Sequence, residues 1–138
     1  MPARVFYSKE NEEFKDLAAL QLTNEQAFLV ARKLISHYGR RYHLKGVEVT
    51  FHKGRSRSYA YPQSSRIELR QHPPLLHVIH ELAHIIHYKK WHSTGHDKKL
   101  MTIIRRIATY VRGKECWGLA ASESLSSGLA RLGRGRAD

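Results

Sequence analysis

The chain has 138 residues, enough for one compact domain with a single core and too few for two comfortable ones. Hydrophobic residues make up 41% and charged residues 26%, which is globular usage and excludes a disordered or fibrous chain. With 24 Lys and Arg against 12 Asp and Glu, the net charge of +12 points to a polyanionic partner, most simply nucleic acid, or to a solvated basic surface.

The single cysteine, Cys116, excludes an internal disulfide framework and any cysteine-cluster zinc site, and it fits a reducing cytosol. No apolar run approaches the ~20 residues of a membrane helix. The opening "MPARVFYSKENEEF" lacks the apolar centre of a signal peptide. The expected location is therefore the cytoplasm.

Residues 1–22 read as a mixed, partly irregular segment. "TNEQAFLVARKLISHYGRRY" follows as an amphipathic helix, with Thr23 and Gln26 forming a capping box and Gly39 marking its end or a fray. Ala27, Val30, Ala31, Leu34, Ile35 and Tyr38 share one face of it. "VEVTFH" then alternates as a half-buried strand, "KGRSRS" is a basic loop, and "YAY" and "RIELR" are short strands around "PQSS". "HPPLLHVIHELAHIIHYKK" is a helix with prolines at its start, where missing N–H groups cost least. "WHSTGH" breaks the chain at Gly95. "DKKLMTIIRRIATYVR" is a second amphipathic helix, and a small-residue helix over 119–132 precedes a frayed basic tail, 133–138. The order predicts an α+β domain over 23–132 with a small three-stranded, mainly antiparallel sheet.

Within the histidine-rich helix, "HELAH" holds two imidazoles one turn apart. At 100° per residue, taking His80 as zero, His84 falls at about 40°, His77 at about 60°, Tyr88 at about 80° and Glu81 at about 100°. The apolar residues Val78, Ile79, Leu82, Ala83, Ile85 and Ile86 cover the opposite side. His80 and His84 can thus converge on one zinc ion, with Glu81 beside them as general base. His77 and His87 would support the site or its cleft. The bland alternative is a solvent-facing polar stripe. A catalytic zinc commonly takes three protein ligands. His96 ranks first for the third because Gly95 permits a sharp return, His92 ranks second and Glu123 third. Tyr88 or a tyrosine of the "YAY" strand could assist a developing oxyanion, but packing is the simpler role for it.

The stretch "RIELRQHPPLLHVIHELAH", followed by "TGHDKKLMTIIRRI", resembles the SprT-like zinc metallopeptidases, which include the Spartan proteases. Ile67 and Leu69 match the family's I-x-L strand, His80, Glu81 and His84 its HExxH, and Gly95 and His96 its Gly-His. "VEVTFHKGRSRSYAY" is similar to its sheet, so the likeness spans roughly residues 24–112. Asp97 stands where the family has glycine, Leu100 where it has an aromatic residue, and the cysteine-rich zinc ribbon is absent.

The resemblance implies a minimal zincin-like domain holding one Zn(2+) on His80, His84 and His96, with Glu81 as general base and acid. It also implies an edge strand, here Tyr59, Ala60 and Tyr61, that binds extended protein or peptide substrate by strand addition. Spartan-type members digest proteins attached to DNA, which would give the basic charge a purpose and an association with the nucleoid or nucleus. On the "DKKLMTIIRRIATYVR" helix, Lys98, Lys99, Arg105, Arg106 and Arg112 fall opposite the apolar face. With Arg55 and Arg57 of the basic loop they are the candidate contacts to single- or double-stranded DNA. The competing expectation is a basic nucleic-acid-binding module with a non-catalytic zinc site.

Overall fold

The structure, a computed structural model, describes residues 2–54 and 56–113. The helix expected over 119–132, Glu123, the basic tail and Arg55 lie outside the described residues. The described chain is α+β, as the pattern of elements predicts. Its helices are α1 (Ala3–Glu13), α2 (Lys15–Ala18), α3 (Asn24–Tyr42), α4 (Leu75–Trp91) and α5 (Lys98–Arg112). Its strands are β1 (Glu48–Phe51), β2 (Tyr59–Tyr61) and β3 (Arg66–Leu69).

The N-terminal segment departs from the expected irregularity: it is helical almost throughout. Phe6, Glu10, Phe14 and Leu17 recur at helical spacing and all are buried. A charged residue in the middle of that stripe conceals the apolar repeat. The chain bends at Phe14 (φ −116°, ψ 32°), which separates α1 from α2.

In α3 the capping box forms as expected. Thr23 Oγ1 accepts from the Gln26 amide at 3.1 Å, and Gln26 Oε1 accepts from the Thr23 amide at 2.9 Å. The apolar face from Ala27 to Tyr38 is buried. The helix does not stop at Gly39 but runs on to Tyr42, where His43 adopts a left-handed conformation (φ 56°) and closes the last turn.

The sheet order is β1-β3-β2. β2 runs antiparallel to β3, with Ala60 opposite Ile67, whereas β1 runs parallel to it, with Val49 opposite Ile67. The sheet is therefore mixed rather than mainly antiparallel. The segment 52–58 carries the chain from one sheet edge to the other, so β1 and β2 never form a hairpin. Central β3 turns Ile67 and Leu69 into the core, and β2 is left as an edge.

Helix α4 is the spine of the domain, packing against α3, α5, β2 and β3. Its start is tied to the segment before α3: Leu22 donates to Pro73 O at 3.0 Å and Leu75 to Leu20 O at 2.8 Å. The second bond satisfies a first-turn N–H that has no partner within the helix. Val78, Ile79, Leu82, Ala83, Ile85 and Ile86 are wholly buried, each large one contributing about 1.5–3 kcal/mol by area. Asp97 caps α5 by accepting from the Leu100 amide at 2.9 Å. Leu100, Ile104, Ile107, Ala108 and Val111 bury the expected face. No described helix is long and apolar enough to cross a membrane.

Candidate metal centre

The polar stripe of α4 is not turned to solvent. His80 is 4% exposed, Glu81 8% and His84 8%. Helix α1 and the turn between α4 and α5 lie over it, which removes the solvent-facing alternative.

His80, His84 and His96 meet at one point, with one potential ligand atom from each lying within 4.8 Å of the others. The Nε2 atoms of His80 and His84 face each other at 3.1 Å. Two nitrogens on a tetrahedral zinc at 2.0–2.1 Å would stand roughly 3.4 Å apart, so the pair is already near ligand spacing. The His84 and His96 rings sit edge to face with centroids 4.8 Å apart. Three imidazoles converging in this way fit a zinc ion of borderline softness. Of the two candidates among the described residues, His96 and not His92 lies with the pair; Glu123 falls outside them. His92 caps α4 in a left-handed conformation (φ 54°), exposed and beside Tyr88.

Two residues of α1, Glu10 and Tyr7, border the centre, and neither stands out in the sequence as a site residue. His80 Nδ1 donates to Glu10 Oε2 at 2.5 Å, between side chains 6% and 4% exposed. This bond fixes the tautomer that leaves Nε2 free to ligate. Tyr7 Oη lies 3.1 Å from His96 Nε2, and its ring stacks on His80 with centroids 5.6 Å apart. The spacing of Phe6, Glu10 and Phe14 was the available signal: an ionisable residue on a helical core stripe needs a buried partner.

The electrostatics follow from burial. Burial, together with the neighbouring His80, His96 and His87, pushes His84 down to about 3, so it offers a free lone pair at neutral pH. His96 is also lowered, chiefly by burial and then by His80. Burial would lower His80 too, but the Glu10 hydrogen bond and charge, helped by Glu81, turn the net shift upward. Burial raises Glu81 to about 7; His80 and Arg57 oppose the rise and Glu10 adds to it.

A cleft of about 380 Å³ opens on this group, walled by α1 on one side and by β2 on the other. Tyr59 and Ala60 line it, while Tyr61 is exposed along the same strand beneath the Arg66 guanidinium. A second cavity of about 250 Å³ adjoins it, sharing Tyr7, Arg57, His80 and Glu81 and adding His77. His77 supports that wall through Ser58 Oγ at 3.3 Å. His87 does not line the cleft. It is fully buried beside Trp91, and its Nε2 lies 3.1 Å from Asp97 Oδ1 without hydrogen-bond geometry. After His96, Asp97 caps α5 and Leu100 fills the core.

The basic face of α5 is exposed except at Arg112, but three of its arginines are paired within the fold. Arg112 is buried and binds Asp16 at 2.6 and 2.9 Å, and Arg105 binds Glu13 at 2.6 and 2.9 Å. Arg106 donates to Tyr42 Oη at 2.5 Å. Arg105 and Arg112 clamp α1 and α2 in place, a structural use that the helical projection could not reveal. Lys98, Lys99 and Arg57 are exposed, with Lys99 Nζ 5.1 Å from the Trp91 ring centroid.

Comparison of the chain with protein-family models, with curated proteins and with solved structures finds no match.

Proposed function

We propose that this protein is a zinc-dependent endopeptidase of the SprT-like kind. The observation that carries the reading is the convergence of three histidines with a buried Glu81 on the floor of a cleft bordered by a sheet edge. His80, His84 and His96 would hold the ion, and Glu10 orients His80. Bound there, zinc supplies Lewis-acid polarisation of the peptide carbonyl and acidifies water.

The protein's own groups supply the rest. Strand β2, an edge of the sheet among the described residues, offers backbone donors and acceptors to an extended peptide, aligning its carbonyl along the cleft. Glu81 takes a proton from the attacking water as the new C–O bond forms and the carbonyl π pair moves onto oxygen. The C–N bond then breaks, and Glu81 returns the proton to the leaving amine. Glu81 is buried on the floor of the cleft beside His80 and His84 of the group that would hold the ion, which suits it to pass a proton between water and amine. A zinc-binding module alone has no need of this residue.

The net charge of +12 supports DNA, or protein on DNA, as the context of the substrate. Arg57 beside the cleft and Lys98 and Lys99 at the start of α5 are its candidate contacts. Replacing Glu81 with Gln tests the catalytic reading: zinc should stay bound at one ion per chain while peptide cleavage disappears. Undiminished cleavage by that variant would overturn it.

A further inference from the structure

Seven tyrosines occur in the chain, all within the described residues, and one of them touches the histidine cluster. Tyr38, Tyr42 and Tyr110 form an aromatic group on α3 and α5. Tyr88 packs on His92, and Tyr61 lies under Arg66. Tyr59 lines the cleft with its ring turned to His52, 5.9 Å away. Tyr7 alone has its hydroxyl against a ligand histidine and its ring stacked on another.

We propose that Tyr7 is a catalytic residue of the peptidase reaction, its phenol donating a hydrogen bond to the oxyanion that forms when water adds to the scissile carbonyl. The proposal rests on the peptidase reading. Neutral imidazole has one lone pair to give. If His96 gives the lone pair of Nε2 to a metal, it ceases to accept from Tyr7, and the phenol O–H is left facing the cleft in need of an acceptor. Tyr7 and Glu81 line the same cleft as Tyr59 and Ala60. A peptide paired with β2 would therefore bring its carbonyl oxygen between the residue that moves the proton and the residue that receives the charge.

The donor is also held in advance. Phe6, next to it on α1, is wholly buried, and Glu10 one turn later is bonded to His80. A preorganised donor at such a position stabilises the charge that develops in the transition state more than the ground-state carbonyl. The oxyanion donor thus comes from the N-terminal helix, and Tyr88 and the tyrosines of β2 keep packing roles.

The experiment uses the full chain loaded with zinc and the variant Tyr7→Phe, which keeps the ring and its packing. The rate kcat should fall about 100-fold, the scale for loss of one oxyanion donor, with KM nearly unchanged. The affinity of a phosphinic peptide that mimics the tetrahedral intermediate should fall by a similar factor. The affinity of a chain-matched peptide substrate for the Glu81→Gln form should be the same with and without Tyr7→Phe. Zinc affinity, read by chelator competition, and Tm should match wild type. An unchanged kcat would overturn the proposal and leave the peptidase reading standing. A fall in zinc affinity or Tm in step with activity would also overturn it, making Tyr7 a support for His96. A zinc-loaded wild type that neither cleaves peptides nor binds the phosphinic peptide would sink the peptidase reading, and this inference with it.

Discussion

Glu10 sits 70 residues before His80 in sequence, yet its carboxylate is the acceptor that fixes the first histidine of the site. Replacing it with Ala leaves the His80 Nδ1–H buried without a partner, because both side chains are almost fully enclosed. Loss of a carboxylate behind a ligating imidazole lowers metal affinity about 10–100-fold. At 1.36 kcal/mol per tenfold, this amounts to roughly 1.4–2.7 kcal/mol. The burial puts Glu10→Ala at the upper end, since water cannot readily replace the lost acceptor. Glu10→Gln should fall at the lower end, because the amide oxygen still accepts from Nδ1. Competition against a chromogenic zinc chelator reads both affinities, and Tm with and without zinc separates site damage from unfolding. A folded Glu10→Ala variant that binds zinc within about twofold of wild type would refute the role assigned to Glu10.

Further outcomes concern the fold, its pH response and its charge. Leu82→Ala should cost about 2–5 kcal/mol in urea denaturation, because the side chain is wholly enclosed in the α4 core. Burial, followed by the charges of Arg70 and His80, pushes His77 down to about 4 from 6.5. The unfolded chain therefore takes up a proton that the native state refuses. That contribution to stability is intact above pH 6.5 and is lost as pH falls from there toward 4. His77→Gln should lose less stability than wild type between pH 7 and 5, and equal losses would contradict the assignment. Arg112→Ala should cost about 3 kcal/mol, the lower end for breaking a buried pair because Asp16 is partly exposed, while leaving DNA affinity intact. Lys98→Ala with Lys99→Ala should instead keep stability and reduce the salt slope of DNA binding by about 2.

What was legible in the sequence was carried by strong local signals. The α3 capping box, the period of α4 and α5 and the HExxH spacing each depend on neighbours a few residues apart, and each formed as expected. The choice of His96 also came from local chemistry, a glycine return followed by a helix cap. Long-range partners were not legible. The Glu10–His80 bond joins residues on separate elements, and a glutamate on the stripe broke the apolar pattern that would have exposed α1 as a core helix. The same separation explains Arg112, which a helical projection puts on an outer face but which α1 and α2 cover, and Arg105, which stays exposed yet is paired with Glu13. The parallel pairing of β1 with β3 depends on the path of the 52–58 segment across the sheet, and no turn signature encodes that path.

The most direct test of the centre is a crystal structure of the zinc-soaked protein with anomalous diffraction recorded on both sides of the zinc edge. One peak per chain is expected, bonded at about 2.0–2.1 Å to nitrogens of His80, His84 and His96. The Glu81 carboxylate should stay out of the coordination sphere, with one position open to the cleft. A peak elsewhere, a site closed by Glu81, or no peak at saturating zinc would contradict that assignment.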